Sequence, residues 1–434
     1  MDLRKSFFRY IIPSMLAFAL SGVYAIADGF FVGNAMGDNA LAAINIAYPL
    51  TAFLQAVGTG IGMGGAVPYS IHAGQKDLRR SNQYFGSSIL LLCLSSILLT
   101  LLFLAGSPAV LRLFGASGEI YTLGCEYLRF ISFGAVFQIL GTGLVPFIRN
   151  MGGAVTAMAA MVVGFLGNIV LDYLFVWVLD QGMTGAAIAT AAGQAMTFLV
   201  CLIFFVAKKK RPSFRLGREG LGLAGQVLSI GLSPFGLTFS PNITLILVNK
   251  SAALTGGDPA VTCYATISYI SCVVLLLMQG VSDGSQPLIS LSYGKGLLKE
   301  TKAVRNMAYR FALAISLLCM AVLFLFRQDV AALFGASAET GQNVARALPP
   351  FILGFLFVSI SRVSTAYFYA TGKNLWAYIL IFSEPLTLLV LLLFLPSLLG
   401  IWGTWISVPL SQLTAMALSI LLICLPEKEK AALP

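Results

Sequence analysis

Four residues with oxygen-bearing side chains fall inside long apolar stretches in the first half of the chain: Asp28, Asn168, Asp172 and Thr190. Asn168 precedes Asp172 by four residues, so on a helix both side chains project from the same face. An ionisable residue within a membrane span is costly and therefore indicates a functional site. Carboxylate, amide and hydroxyl oxygens are the ligands that a small hard cation requires, and burial beside a second carboxylate also favours binding of a proton. The set is predicted to bind Na⁺ or a proton.

These four residues are also expected at a similar depth. Asp28 lies six residues before the end of its apolar stretch, and Asp172 lies eight residues before the end of another. At about 1.5 Å of rise per helical residue, they lie about 9 and 12 Å below the outer surface, with Thr190 at a similar level. In the alternative interpretation, all four residues only hydrogen-bond neighbouring helices to each other, as Asn and Thr do in many membrane bundles.

A second group of ionisable residues falls near the middle of apolar stretches in the second half. Arg362 and Glu384 each lie eleven residues from Lys373. Asp283 lies twelve residues before Lys295. These separations place all three about 16 to 18 Å from the cytoplasmic surface, near the midplane of a bilayer. An arginine without a counter-charge is costly at this depth, so Arg362 is predicted to pair with Glu384 or Asp283. The cluster is either a structural ion pair or a contact for the substrate.

The composition indicates that lipid is the solvent around these residues. Of the 434 residues, 58% are hydrophobic and 10% are charged, whereas about a quarter of the residues of a soluble domain are charged. Apolar stretches of about 20 residues, long enough to cross a bilayer, recur along the whole chain. We therefore predict an all-α integral membrane protein. Its twelve transmembrane helices are expected near residues 6–33, 41–73, 83–105, 118–147, 154–179, 183–207, 225–251, 259–292, 303–326, 341–371, 374–397 and 400–425.

The net charge of +10 comes from basic residues that cluster between alternate spans. This placement is typical of topology signals and argues against a nucleic-acid partner. One side of the membrane receives most of the 27 basic residues, and the opposite side receives only Arg112, Lys250, Arg327 and Arg346. The positive-inside rule therefore places both termini in the cytoplasm.

The chain also repeats itself with an offset of 220 residues. The segment 113–117 (LFGAS) recurs as 333–337, and Glu119 and Gly134 match Glu339 and Gly354. Two parallel six-helix repeats follow: an N-terminal lobe at 1–207, a basic cytoplasmic linker at 208–224 and a C-terminal lobe at 225–434. Such an architecture is typical of transporters, because rocking one repeat against the other alternates access.

Several motifs, in order and spacing, resemble the multidrug and toxic compound extrusion (MATE) family over essentially the whole chain. They are 27–33 (ADGFFVG), 167–172 (GNIVLD), 185–190 (GAAIAT), 286–289 (QPLI) and 293–294 (YG). The resemblance implies the MATE/MOP-type fold. It also implies a shared H⁺ or Na⁺ site at Asp28, Asn168, Asp172 and Thr190. Pro13 matches the proline at which helix 1 bends in archaeal members, which implies a conformational role.

The chain departs from the NorM-type branch of that family. Pro241 and Ile360 stand where that branch has acidic residues in helices 7 and 10. The chain is therefore expected to be closer to the DinF-type branch, and a C-terminal cation site of the NorM kind is not expected.

These observations predict a secondary antiporter. Because the chain has no Walker motif, the energy for transport must come from an ion gradient. It is expected to export small organic compounds, cationic and amphipathic, in exchange for H⁺ or Na⁺, with no cofactor. We expect a monomer in the inner (plasma) membrane, with small-molecule substrates and lipid as its partners.

Two alternatives belong to other functional classes. A lipid-linked oligosaccharide flippase of the same superfamily needs a strongly basic cavity. This chain has two intramembrane arginines, Arg129 and Arg362, against five intramembrane acids, which disfavours a flippase. An intramembrane enzyme needs a clustered set of nucleophiles and bases, and one histidine without such a set argues against an enzyme.

Overall fold

The computed structural model describes residues 3–215, 217–331 and 338–425, and the side chains of residues 25–30, 38 and 338 also lie outside the description. The described chain is helical and contains no strand. Its elements are α1 (Leu3–Met36), α2 (Asp38–Gly74), α3 (Leu78–Leu113), α4 (Gly118–Asn150), α5 (Ala154–Asp172), a π-helical segment (Tyr173–Val178), α6 (Gly182–Ala207), α7 (Gly217–Gly294), α8 (Leu298–Leu325), α9 (Ala338–Ala370), α10 (Asn374–Leu399) and α11 (Ile401–Cys424).

Helix α7 joins two of the predicted spans, 225–251 and 259–292, in one run of 78 residues. Within it, Gly257 has φ 62° and ψ −160°, a conformation that glycine adopts without the steric cost of a Cβ atom. The run is therefore two helices that meet at Gly257. Pro259 falls in the first turn of the second helix, where its fixed φ is favourable and its missing N–H is not needed.

The prediction of an all-α membrane protein is confirmed. Within the described residues, eleven helices are long and apolar enough to cross a membrane when α7 is counted once, and dividing α7 at Gly257 gives the twelve that were predicted. On α3, large apolar side chains are more than half exposed: Leu94, Ile97, Leu98, Leu101 and Leu102. A continuous apolar surface of this kind needs lipid rather than water around it.

The chain divides into two compact units. We call residues 8–238 the N-terminal unit, and residues 1–7 with 239–434 the C-terminal unit. In the N-terminal unit, the Ser213 N–H donates a hydrogen bond of 3.0 Å to the Asn82 carbonyl oxygen, so part of the predicted linker packs on α3. The predicted boundaries of the lobes and the linker stay a prediction.

Close contacts between α2 and α4 organise the core of the N-terminal unit. A Cβ atom on Gly62 would overlap the backbone carbonyl of Gly143, so α2 and α4 touch through their backbones at this point. Small residues permit such an approach in a membrane, where dispersion contacts replace the hydrophobic effect between helices. The glycine-rich segment of α2 therefore serves helix packing.

Candidate functional site

Asn168 and Asp172 lie on the one buried stripe of α5. This stripe continues through Ala157, Ala160 and Gly164 at the three- and four-residue spacing of a helix face. The exposed fraction of the side chain is 2% for Asn168 and 0% for Asp172. Both polar groups therefore point away from lipid and into the N-terminal unit.

Helix α6 brings Thr190 to this stripe. The Asn168 Nδ2 atom donates to Thr190 Oγ1 at 3.5 Å, and the Thr190 hydroxyl itself donates to the Ala186 carbonyl at 3.1 Å. The approach of the two helices depends on Gly193, where an added Cβ would lie 2.8 Å from the Asn168 Cβ. The 3.5 Å contact is at the long end of hydrogen bonding and uses the Nδ2 donor, so the carbonyl oxygen of Asn168 takes no part in it.

The polar side chains on this stripe carry oxygen atoms of the types that bind small cations. Asn168 Oδ1 accepts no hydrogen bond from any residue that the structure describes, although it is buried. A buried carbonyl oxygen of this kind needs a partner, and a cation is one kind of group that supplies it. Together with the Asp172 carboxylate and the Thr190 hydroxyl, it suits an alkali cation, or a proton on the carboxylate. No group of three or more His, Cys, Asp or Glu able to hold a metal occurs among the described residues.

Helix α1 lies alongside this stripe. The Tyr24 ring stacks on the Phe165 ring of α5 with centroids 5.2 Å apart, and the Phe31 ring meets Tyr173 at 6.5 Å. Asp28 falls between these two contacts in the sequence, but its side chain lies outside the described residues. Pro13 is buried within α1, which continues through it. The conformational role of Pro13 stays a prediction.

A π-helical segment, Tyr173–Val178, begins directly after Asp172. Segments of π-helix are rare, and they occur frequently at functional sites because the wider turn redirects the side chains that follow. Phe31 packs against the rings of Tyr173 and Trp177 in this segment. Sequence analysis treated 154–179 as one regular span, because no residue type signals a π turn.

Glu126 on α4 has a different partner from the one expected. Its Oε1 atom accepts hydrogen bonds from the Thr184 backbone N–H at 3.1 Å and the Thr184 hydroxyl at 2.6 Å. The spacing of Glu126 and Arg129, three residues apart on one helix, predicts a local pair, and that prediction is wrong because Thr184 holds the Glu126 carboxylate instead. A carboxylate is favourable at the N-terminus of a helix, where backbone N–H groups lack helical partners. Glu126 thus fixes the start of α6, the helix that carries Thr190.

In the C-terminal unit, a hydrogen-bonded chain links α9 to the second half of α7. The Arg362 Nη1 atom donates to Gln279 Oε1 at 2.6 Å, and Gln279 Nε2 donates to Asp283 Oδ1 at 2.7 Å. The exposed fractions are 9% for Arg362, 7% for Gln279 and 2% for Asp283. Gln279 was missed by sequence analysis, although its position four residues before Asp283 was an available signal.

Glu384 on α10 completes this cluster. The Glu384 and Asp283 carboxylates both lie within electrostatic reach of the Arg362 guanidinium. The Glu384 carboxylate also accepts a hydrogen bond from the side chain of Gln412 on α11. The structure thus brings together the three residues predicted to cluster, and the choice of Glu384 over Asp283 as the closer partner of Arg362 stays a prediction.

The chain is similar to known proteins over most of its length. The family model described as MatE matches residues 13–174 and 230–395. The multidrug export protein MepA of Staphylococcus haemolyticus is 25% identical over 423 residues, covering 96% of this chain and 93% of the relative. MepA of Staphylococcus aureus is 26% identical over 429 residues, covering 96% of this chain and 94% of the relative.

Solved structures show the same fold. An outward-facing multidrug resistance MATE family transporter of the MOP superfamily aligns with a TM-score of 0.89 at 24% identity, covering 97% of this chain and 95% of that one. A MOP superfamily transporter from Pyrococcus furiosus aligns with a TM-score of 0.90 at 24% identity, with the same coverage of 97% and 95%.

Proposed function

Because the chain belongs to the MatE family, whose members are membrane transporters and not enzymes, we propose that it is a secondary multidrug antiporter. It exports small organic compounds, cationic and amphipathic, in exchange for H⁺ or Na⁺. The similarity to MepA proteins, which are named multidrug export proteins, supports export as the direction of transport and drug-like compounds as the cargo. The nearness to the DinF-type branch remains a sequence-based prediction.

The observation that carries this proposal is the buried set of Asn168, Asp172 and Thr190. A cation that arrives from the outside binds the Asp172 carboxylate and the Asn168 carbonyl oxygen, and it neutralises the buried charge. The motif at 27–33 assigns Asp28 to the same site as a second carboxylate. Because α1 packs on α5 and the π segment through Tyr24 and Phe31, neutralisation of this site biases the packing of α1.

The ion and the cargo are coupled because binding of either one changes the affinity of the protein for the other. This effect is reciprocal in binding free energy, so a cation that weakens cargo binding is itself displaced when cargo binds. A membrane potential of 100 mV supplies about 2.3 kcal/mol for each charge that moves inward. The protein works as a monomer in the plasma membrane, with both termini in the cytoplasm, where the positive-inside rule places them.

Gradient-driven transport by the purified protein tests this function. Proteoliposomes should move ethidium against its gradient when a pH or Na⁺ gradient is imposed, and dissipation of the effective gradient should stop the movement. A protonophore distinguishes H⁺ coupling from Na⁺ coupling, because it collapses the H⁺ gradient and leaves the Na⁺ gradient in place. Ethidium movement that is unaffected by either gradient would refute ion-coupled antiport.

Asp172→Asn is expected to reduce energised ethidium efflux by about tenfold or more, since the amide cannot change charge and coupling typically spans 5–150-fold. Asn168→Ala should reduce efflux in the same way by removing the carbonyl oxygen. Glu126→Gln serves as the matched control, because its amide oxygen can still accept the hydrogen bonds of Thr184. The measurement is dye retention in cells with equal amounts of membrane protein. An equal defect in Glu126→Gln would mean that these residues act through stability.

A further inference from the structure

Two cations from different parts of the C-terminal unit share one aromatic ring. The Arg305 guanidinium of α8 lies over the Tyr367 ring of α9, 4.9 Å from the ring centroid. The Lys373 ammonium, at the residue directly before α10, lies over the same ring at 5.8 Å. Because Tyr367 is buried, its ring holds both cations where the first turns of α8, the end of α9 and the start of α10 meet.

Two further aromatic side chains hold these cations in position. Arg305 also lies over the Tyr309 ring at 6.0 Å, and the Tyr309 and Ser364 hydroxyls share a hydrogen bond of 2.7 Å that ties α8 to α9. The Lys373 ammonium lies 5.3 Å from the centroid of the Trp376 ring. A ring face attracts a cation but leaves its charge in place. We call Arg305, Tyr309, Tyr367, Lys373 and Trp376 the cationic cluster.

The charge of Arg305 meets no carboxylate among the residues that the structure describes. Its Nε and Nη2 atoms donate to the Oδ1 atom of the neighbouring Asn306 at 3.2 and 3.1 Å, and Asn306 is uncharged. The Nη1 atom donates to no described residue. Arg305 is half-buried, so this nitrogen can donate to a ligand from outside.

The segments around the cationic cluster carry excess positive charge and lie on the predicted cytoplasmic side. The one acidic residue in 292–310 and 370–376 is Glu300. The basic residues there are Lys295, Lys299, Lys302, Arg305, Arg310 and Lys373. An anion therefore complements this place, and the cytoplasmic leaflet presents anionic lipid headgroups to it.

The surface next to the cationic cluster is apolar. Along α10, Leu375, Ile379 and Phe382 are exposed at the four- and three-residue spacing of one helix face. This stripe begins two residues after Lys373, so an acyl chain can lie along it while its phosphate lies at the cluster. Trp376 suits this border, because Trp rings are enriched where headgroups meet acyl chains. These features favour a phospholipid over a free phosphate ion.

We propose that Arg305 and Lys373 bind the phosphate of an anionic phospholipid in the cytoplasmic leaflet. Arg305 donates from its Nη1 atom, and the Lys373 ammonium supplies a second positive charge. Two cations on one ring repel each other, and a bound phosphate lowers this repulsion. The lipid joins α8, α9 and α10 at one end of the C-terminal unit, a role separate from the binding of the coupling ion and of the cargo.

Native mass spectrometry of the detergent-purified protein tests this site, since it resolves each bound lipid and gives its Kd. The wild type should bind phosphatidylglycerol more tightly than phosphatidylcholine. Arg305→Gln should raise the Kd for phosphatidylglycerol by about fivefold, the factor expected from one basic residue near an anionic membrane surface. Arg310→Gln is the matched control, because it removes the same charge from an exposed residue of the same helix outside the cluster, and it should keep the wild-type Kd.

Lys373→Gln tests the second cation independently and should raise the same Kd by a similar factor. Wild-type affinity in either folded variant would overturn the proposal, so a failure of one variant to fold leaves the other decisive. Equal weakening in Arg310→Gln would overturn it too, because the net charge of the surface would then attract the lipid. Added inorganic phosphate should leave phosphatidylglycerol bound, and displacement would show that the cluster recognises a free phosphate ion instead.

Discussion

Cells that carry Asp28→Asn are expected to lose energised ethidium efflux while the protein remains in the membrane. The substitution preserves the size of the side chain but removes the only charge that the 27–33 motif places within the membrane. Tyr24 and Phe31, which flank this position in the sequence, hold α1 against α5 and the π segment. Since typical couplings are 5–150-fold, efflux should fall by about tenfold or more.

Asp180→Asn is the matched control for this variant. Asp180 is exposed and has φ 49°, a left-handed conformation that asparagine also tolerates, so neither folding nor transport should change. The measurement is the rate of ethidium loss from preloaded cells, normalised to the amount of protein in the membrane. Wild-type rates in Asp28→Asn would show that this acid does not couple the ion to transport.

Arg362→Met is expected to lower the melting temperature of the purified protein more than any change to one of the acids around it. The substitution leaves Asp283 and Glu384 without their shared counter-charge and leaves Gln279 Oε1 without its donor. Leaving a buried charge without its counter-charge typically lowers the free energy of unfolding by about 3–5 kcal/mol. Glu384→Gln alone should cost less, because Arg362 keeps both Gln279 and Asp283.

The double variant Arg362→Met with Glu384→Gln should recover part of the lost stability, since only one carboxylate then remains and Gln279 still donates to it. Arg346→Met is the control, because Arg346 lies on the same helix but is exposed. Surface substitutions of this kind change stability by about 0.5 kcal/mol or less. Additive losses in the double variant would show that Arg362 and Glu384 are not coupled. Normal ethidium efflux by a stable double variant would show that the cluster stabilises helix packing and does not contact the cargo.

Local properties of the sequence were sufficient for the fold class. Whether a segment spans a bilayer depends on its own length and polarity, so twelve helices could be predicted without any knowledge of their neighbours. Helix periodicity is equally local, which is why Asn168 and Asp172 could be placed on one face. The break at Gly257 was also visible, since Gly256-Gly257 and Pro259 interrupt the apolar pattern.

The partners of the polar residues were decided only by the tertiary structure. Glu126 meets Thr184, 58 residues away, instead of Arg129 on its own helix, because the N-terminus of α6 offers unsatisfied N–H groups there. The link from Arg362 to Gln279 spans 83 residues. Neither separation follows from helix periodicity, which relates only residues a few positions apart. The sequence thus determined which side chains must be shielded from lipid, whereas the packing of helices distant in the chain decided which group each of them meets.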